Sequence, residues 1–426
     1  MKKLKAVIVG FGNRGQIYSE YALSDPDKLE IIAVVEPNDF RLQNAKKLHK
    51  LEDDQLFHNL DEFLAKEISA DVVVNATMDQ DHYETAMAIL NNGYNMLCEK
   101  PIVNNKKDLL DIKKAAEEHD CHVFVCHVLR YTPFYKTIKQ LLLDGEIGKI
   151  LSMEMNEHVA LSHYLASYDR GKWNDETVCG STFLLAKCCH DLDMVTWLNN
   201  STRPENIVSF GGRHFFTPEN APEGATEYCY QCPHYDTCLM SAKKQYLEMD
   251  PMPFLTWARI NKPVKEITRE EKEEFLKHDI YGKCGYTCAE NLVDRQNLII
   301  QFADGSVCNF MMVAGASKAD RYVHIVGSKG EIEGKIEENK IIVRKAYQPE
   351  QIIDLTKDII IKVKDGGHSG GDYMIMHDLV NYLNGDKSSI SITSLEDSVL
   401  GHLCVYAADE SRKTGRIINL KNFIKE

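Results

Sequence analysis

The chain has 426 residues, 44% of them hydrophobic and 27% charged, with a formal net charge of -14. This composition excludes a mainly disordered chain, and the length fits two or three globular domains. The acidic balance argues against non-specific binding to nucleic acid or acidic membranes, which both need a basic face, and no apolar run approaches the roughly 18 residues of a membrane span.

The basic start at Lys2 and Lys3 leads into an apolar stretch that Gly10, Gly12 and Asn13 interrupt, with no small-residue cleavage site after it. It reads as a first strand rather than a secretion signal. The 13 cysteines are therefore expected in a reducing cytoplasm, as thiols or metal ligands rather than disulfides.

Up to residue 128, short β-branched runs predict strands over 5–9, 29–35, 71–76, 94–98 and 122–126. Helical patterns over 16–23, 40–50, 83–91 and 106–118 lie between them. Near-continuous apolar strands alternating with helices predict an α/β domain, a doubly wound parallel sheet covered on both faces. Residues 129–426 change rhythm. Helices are predicted over 132–143 and 184–198, with strands over 150–158, 207–210, 297–302, 307–313, 321–326 and 341–345. Asp304-Gly305 marks a hairpin turn. Two late helices, 372–383 and 395–413, close the chain. The second domain is thus α+β with a large, mainly antiparallel open sheet. Residues 211–290, rich in Cys, Pro, Tyr and charge, read as an insertion with little core of its own.

Gly10-Phe11-Gly12-Asn13-Arg14-Gly15 follows the first strand and opens a helix. In such a loop the first glycine permits the tight turn, the second lets the backbone approach a pyrophosphate, and the third lets helix pack on strand. The helix N-terminus offers free N–H groups to the phosphates. Glu36, at the end of the second strand, stands where a carboxylate accepts hydrogen bonds from an adenosine ribose. The first domain therefore reads as a Rossmann dinucleotide-binding domain. A carboxylate at Glu36 repels a 2′-phosphate and favours NAD over NADP, while Arg41 nearby is either a partner for that phosphate or part of a solvated helix face. Glu99-Lys100-Pro101 follows the fourth strand, where ligands of open parallel sheets bind. Pro101 restricts the backbone that aims Lys100.

In the combination of Gly10 to Gly15, Glu36-Pro37, Asp81-His82, Asn92-Gly93-Tyr94, Cys98 to Pro101 and Cys188-Cys189-His190-Asp191-Leu192-Asp193, the chain resembles the Gfo/Idh/MocA family of sugar and polyol oxidoreductases over nearly its whole length. The resemblance implies Lys100 and His190 as the catalytic pair and a candidate cis bond at Lys100–Pro101. It also implies cofactor contacts at Thr77, His82, Glu99 and Lys100 in addition to the glycine loop, Glu36 and Arg41. Lys187, His190 and Asp193 are spaced three apart and can line one helical stripe. From the residues alone His190 reads first as a satisfied core histidine. With the resemblance it is the general acid/base, its ordinary pKa lying near working pH. Many family members carry an aspartate four residues before this histidine. Ala186 stands there in this chain, followed by Lys187, a cation that could bind an anionic or heavily hydroxylated substrate. Tyr168, Arg170 and Trp173 lie in a stretch that resembles a substrate loop and reads equally as a surface loop.

Cys229, Cys232 and Cys238 sit at a spacing that suits tetrahedral zinc, or less readily an iron–sulfur cluster, with free thiols as the alternative. His214 is the expected fourth ligand, by resemblance, with His234 and Cys284 as competitors. His368 precedes Gly370-Gly371-Asp372 and is a candidate to reach the active site, while Asp372 could simply cap the last helix but one.

The expected activity is hydride transfer between a sugar or polyol alcohol and NAD. The alternatives are an NAD-dependent glycosidase that oxidises its sugar transiently, and a non-catalytic dinucleotide or sugar sensor. The expected partners are small molecules and, through the open face of the second sheet, further copies of the chain; a nucleic acid or a membrane is not expected.

Overall fold

The computed structural model describes residues 1–356 and 370–425; His368 lies outside them. Six strands, β1 (Leu4–Val9), β2 (Leu29–Val35), β3 (Leu56–Phe57), β4 (Val72–Asn75), β5 (Met96–Cys98) and β6 (Val123–Val125), form one sheet in the order β3-β2-β1-β4-β5-β6. Every pairing in it is parallel. The chain direction of strand addition reverses between β1 and β4, which opens a crevice at the carboxyl ends of these strands. All four residues of β4 are buried, as expected of a strand covered on both faces. Two of the flanking helices start at side-chain caps: Asn38 accepts from the Arg41 N–H at Asp39–His49, and Asn105 from the Asp108 N–H at Lys106–Glu118.

The second sheet has nine strands: β7 (Ile150–Ala160), β8 (Pro204–Gly212), β9 (Arg295–Phe302), β10 (Val307–Ala316), β11 (Tyr322–Gly327), β12 (Gly330–Lys335), β13 (Lys340–Lys345), β14 (Gln351–Asp354) and β15 (Ile418–Asn419). They run in the order β14-β13-β12-β11-β7-β10-β9-β8-β15. β7 and β10 are parallel, and the other neighbours are antiparallel. The predicted Asp304-Gly305 hairpin joins β9 to β10, with Gly305 at φ +88° and the Asp304 carboxylate accepting from the Ser306 N–H. β9 alternates strictly between exposed and buried residues, so the sheet has one packed and one open face.

On the packed face lies the helix Phe183–Leu198, every residue of which is buried. A helix buried all round must be covered by partners on every side. The helix Leu395–Thr414 closes upon it. A Cβ at Gly401 would lie 2.9 Å from the Asp193 Cα, so glycine is what lets these two helices touch. The helix Gly371–Leu383 returns to the first domain: its Ile375, Met376, Leu379 and Val380 share a core with Leu4, Ile8, Leu97 and Phe124.

Between β8 and β9 the insertion builds a core of its own around Tyr246, Trp257, Leu276 and Tyr281, with Cys229 at its edge. Little core of its own was expected of this segment; aromatic residues at irregular spacing supply one, and no helical or strand period announces them. Among the described residues no helix is long and apolar enough to cross a membrane.

Candidate active site

The glycine loop is shaped by contacts that only glycine allows. Gly10 adopts φ +87°, and a Cβ there would fall 2.6 Å from the Ala76 carbonyl oxygen. A Cβ at Gly15 would meet the Gly10 carbonyl oxygen at 2.0 Å. Gly12 is different. A Cβ there would find open space, with the Arg41 Nη1 the nearest atom at 3.9 Å. It is also the N-cap of the helix Asn13–Ser19, whose first turn has no side-chain cap. The loop is thus a cradle with bare backbone at its centre, and it fits a pyrophosphate. Buried Glu36 accepts from the Phe11 N–H at 2.7 Å and from the Asn38 N–H at 3.0 Å, tying the second strand to the loop. The Arg41 guanidinium stands 3.9 Å from Glu36. The Asn38 side-chain amide donates to Asn261 at 3.2 Å, so the insertion reaches the ribose end of the crevice.

Arg14 and Glu99 form a buried hub behind the loop. The Arg14 guanidinium donates to Glu99 at 2.6 Å, to Asp372 at 2.6 Å, and to the Tyr18 hydroxyl. Tyr18 in turn donates to Glu99 at 2.5 Å. Burial works to raise the Glu99 pKa, but Arg14, Lys100 and the two side-chain hydrogen bonds outweigh it and hold the carboxyl at about 2. Asp372 serves Arg14, and Gly370 is the N-cap of its helix. Glu99 also accepts from the Lys100 N–H at 2.8 Å, which fixes the start of the Lys100–Pro101 step, a cis peptide. His82 braces the same segment: its ring nitrogens face the Pro101 carbonyl at 2.6 Å and the Thr77 carbonyl at 3.2 Å. The Thr77 hydroxyl donates to Asn75 at 2.8 Å.

From this base Lys100 reaches into the second domain. Its ammonium donates to the Ala186 carbonyl at 2.7 Å, one helical turn before His190, and lies 5.7 Å from the centre of the Trp173 ring. Trp173 is clamped by its indole N–H to Asp79 at 2.8 Å, and Asp79 also accepts from Ser181 at 2.8 Å. The Lys172 ammonium covers the Trp173 ring at 4.3 Å, and Tyr168 stacks on it at 5.6 Å between centroids. Lys100, Trp173 and Tyr168 are therefore grouped beside the helical turn that leads to His190.

Other expected substrate contacts are engaged elsewhere. Lys187 pairs with Glu157 at 3.1 Å, and Glu157 and Asp191 both meet Arg321, at 2.6 Å and 2.8 Å. Burial lifts the Asp191 carboxyl to about 6 against the pull of Arg321. Asp193 is fully buried and takes both prongs of Arg130, at 2.6 Å and 2.7 Å. Arg170 points into the insertion, donating to the carbonyls of Lys283 at 2.7 Å and Met240 at 2.6 Å and lying against the Tyr246 ring. It anchors that segment.

A model of the oxidoreductase family's NAD-binding Rossmann fold matches residues 4–127, and one of its C-terminal alpha/beta domain matches residues 139–420. The chain belongs to the Gfo/Idh/MocA family. It is an oxidoreductase family with an NAD-binding Rossmann fold, and the chain is an oxidoreductase of that family. It is 25% identical to the putative oxidoreductase YteT of Bacillus subtilis over 323 residues, 72% of either chain. It is 24% identical to an inositol 2-dehydrogenase of Corynebacterium glutamicum over 53% of this chain and 62% of that one. In fold it is similar to an NAD binding oxidoreductase from Klebsiella pneumoniae, with a TM-score of 0.70 at 15% identity over 99% of both chains. An inositol dehydrogenase homolog from Azotobacter vinelandii, complexed with NADH and myo-inositol, gives a TM-score of 0.67 at 13% identity over 98% of both chains.

The expected zinc centre is corrected. Cys229, Cys232, Cys238 and Cys284 line one cavity of about 20 Å³ together with His234, but the His214 ring folds back on Gly212 and is absent from that lining. The Cys229 sulfur meets the Arg170 guanidinium at 3.6 Å and the Lys283 carbonyl at 3.5 Å. His234 bonds the Glu223 carbonyl at 2.8 Å. Among the described residues no group of three or more His, Cys, Asp or Glu side chains is arranged to hold a metal ion. Cysteine spacing, with His214 added by resemblance, carried the expectation, and the insertion's aromatic core and Arg170 anchor the segment.

Sequence reasoning missed Asp79, Asn261, Glu157, Arg321 and His127. For the first four no local signal exists, because their partners lie far along the chain. His127 stands just beyond the carboxyl end of β6, and that position was the available signal.

Proposed function

We propose that this family member oxidises a sugar, cyclitol or sugar-derivative alcohol with NAD, using Lys100 and His190 as its catalytic pair. The observation that carries this reading is the Lys100 ammonium seated on the Ala186 carbonyl, in the turn that leads to His190. The crevice fits NAD: Gly12 presents bare backbone, and Glu36 stands where a 2′-phosphate would be repelled. Bound there, the nicotinamide supplies the hydride acceptor. Lys100 donates a hydrogen bond to the substrate hydroxyl oxygen and stabilises negative charge as it develops. His190 accepts the hydroxyl proton. Trp173, held by Asp79 and stacked on Tyr168, offers an aromatic face to a sugar ring. The relatives named inositol 2-dehydrogenase and trans-1,2-dihydrobenzene-1,2-diol dehydrogenase support an alcohol on a ring as substrate. Exposed Phe210, Ile299 and Met311 on the second sheet support pairing of that face with another copy, in a cytoplasmic homo-oligomer.

The test is incubation with a panel of sugars, polyols and glycosides plus NAD, reading both NADH absorbance and products. NADH formation is expected. Sugar release without net NADH would replace this reading with the glycosidase, and binding of NAD without any turnover would replace it with a sensor.

A further inference from the structure

We propose that His127 positions His190 for proton transfer, in the place of the carboxylate that position 186 lacks. The inference rests on the dehydrogenase reading of Lys100 and His190.

His127 follows β6, at the carboxyl edge of the parallel sheet, and is wholly buried. Its ring meets the His190 ring edge to face, 5.6 Å between centroids at 77°. The His402 ring also lies against it, at 5.4 Å. His402 is held in place. Its Nε2 accepts from the Ile102 N–H at 3.0 Å, so Nδ1 carries the proton and faces the Ser398 carbonyl at 3.2 Å. His127 thus packs against both a fixed imidazole and the proposed acid/base.

Among the described residues neither ring nitrogen of His127 has a hydrogen-bond partner. Asp193 lies 3.8 Å from its Nε2, but both oxygens of that carboxylate are taken by Arg130. Leaving a buried polar group unbonded is costly, and a phenylalanine or leucine in this slot would avoid that cost. Of the two imidazoles that the His127 ring meets, His190 is the one the proposed chemistry uses.

The charged and titratable groups around His127 come from four elements. They are Arg130 from the following turn, His190 and Asp193 from the helix Phe183–Leu198, His402 from the helix Leu395–Thr414, and Glu99 and Lys100 from the segment after β5. Burial, then Arg130 and Lys100, push the His127 pKa far below the ordinary histidine value, with Glu99 opposing. The ring therefore stays neutral at any working pH. It can orient His190 through its dipole and its rigid packing, but unlike a carboxylate it does not stabilise an imidazolium. No proton is passed to it in this scheme; the proton taken from the substrate stays on His190.

The test compares His127→Phe and His127→Asn with the wild-type chain. Phenylalanine keeps a packed ring and removes the nitrogens. It is expected to lower kcat by about 10- to 100-fold and displace the acid limb of the kcat–pH profile, with KM for NAD unchanged. Asparagine, which restores a polar edge, is expected to recover part of the loss. A His127→Phe chain with wild-type kcat and pH profile would overturn the proposal and leave His127 a packing residue. Should His127→Phe not fold, His127→Leu, which also removes both nitrogens, carries the same comparison. Titration of the His190 ring by NMR in both chains needs no substrate. A changed His190 titration is expected in the variant, and an unchanged one overturns the proposal even where no alcohol is oxidised, a result that would instead count against the dehydrogenase reading.

Discussion

The Lys100 ammonium lies 2.7 Å from the carbonyl oxygen of Ala186. One residue comes from the loop after β5, the other from a helix of the second domain, so a single hydrogen bond spans the cleft between the two sheets. It also sets where the ammonium stands relative to His190, because Ala186 and His190 are one turn apart on a helix with no exposed residue.

Removing that ammonium should separate chemistry from binding. Lys100→Met is expected to lower kcat by about 10²–10⁴-fold, the usual range for a lost acid–base or electrostatic contribution. Cofactor affinity, followed by NADH fluorescence, should stay within about threefold, because the glycine loop and Glu36 remain intact. A Lys100→Met chain that oxidises its alcohol at the wild-type rate would remove Lys100 from the chemistry.

The Glu36 carboxylate has two tasks. It accepts from the Phe11 and Asn38 N–H groups and presents negative charge at the ribose end of the crevice. Glu36→Ala should weaken NAD binding by about tenfold, equivalent to ~1.4 kcal/mol, and narrow the preference over NADP as Arg41 loses its opposing charge. Titration of both cofactors into both chains reads the ratio. An unchanged preference would show that selectivity resides elsewhere.

Arg170 makes the opposite kind of prediction. Its guanidinium is buried and satisfies the carbonyls of Met240 and Lys283, so Arg170→Ala strands acceptors at the base of the insertion. A loss of about 2–5 kcal/mol is expected from stranding two buried carbonyls at about 1–3 kcal/mol each, with protease cleavage appearing first within residues 211–290. Were Arg170 a substrate contact instead, the variant would keep its melting temperature and raise KM.

Local pattern made the first domain legible. Continuous apolar strands, capped helices and a glycine loop are each encoded within a few residues, so β1, β2, β4, β5 and β6 fall where periodicity puts them. β3, with two residues, and β15, with two, are too short to carry a period. Long-range pairing was not legible. The helix Gly371–Leu383 follows the second sheet in the chain and yet packs into the first domain's core. The direction of a side chain was equally hidden: Tyr168, Arg170 and Trp173 lie within six residues, and the first and last pack together beside Lys100 while Arg170 faces the insertion. Lys187 and Asp193 are right in spacing, but Glu157 and Arg130 claim them across the fold.

Acid should unfold this protein in two overlapping steps with different causes. His402 is held neutral to about pH 3, by burial first and then by the nearby His127. Its ordinary value is 6.5, so below that the unfolded chain binds a proton that the folded chain refuses. Stability from this residue is complete above pH 6.5 and falls by about 1.4 kcal/mol per pH unit on the way down to about 3. Neutral His127 adds to the same slope. Glu99 behaves as a depressed acid, with a pKa of about 2 in the fold against 4.5 ordinarily. Its contribution is complete above pH 4.5 and is lost as pH falls toward 2. Burial lifts the Asp191 and Asp169 carboxyls to about 6 and about 7, so they bind protons first in the fold and oppose this slope. The two contributions are therefore read as differences between variant and wild-type chains in denaturant unfolding from pH 7 to pH 3. His402→Gln keeps an oxygen acceptor for the Ile102 N–H but does not titrate, and it should flatten the upper part of that curve by about one proton's slope. Glu99→Gln should flatten only the lower part. An identical upper slope in His402→Gln would mean that His402 takes up its proton in the folded chain, and the neutral imidazole packed against His127 would then be wrong.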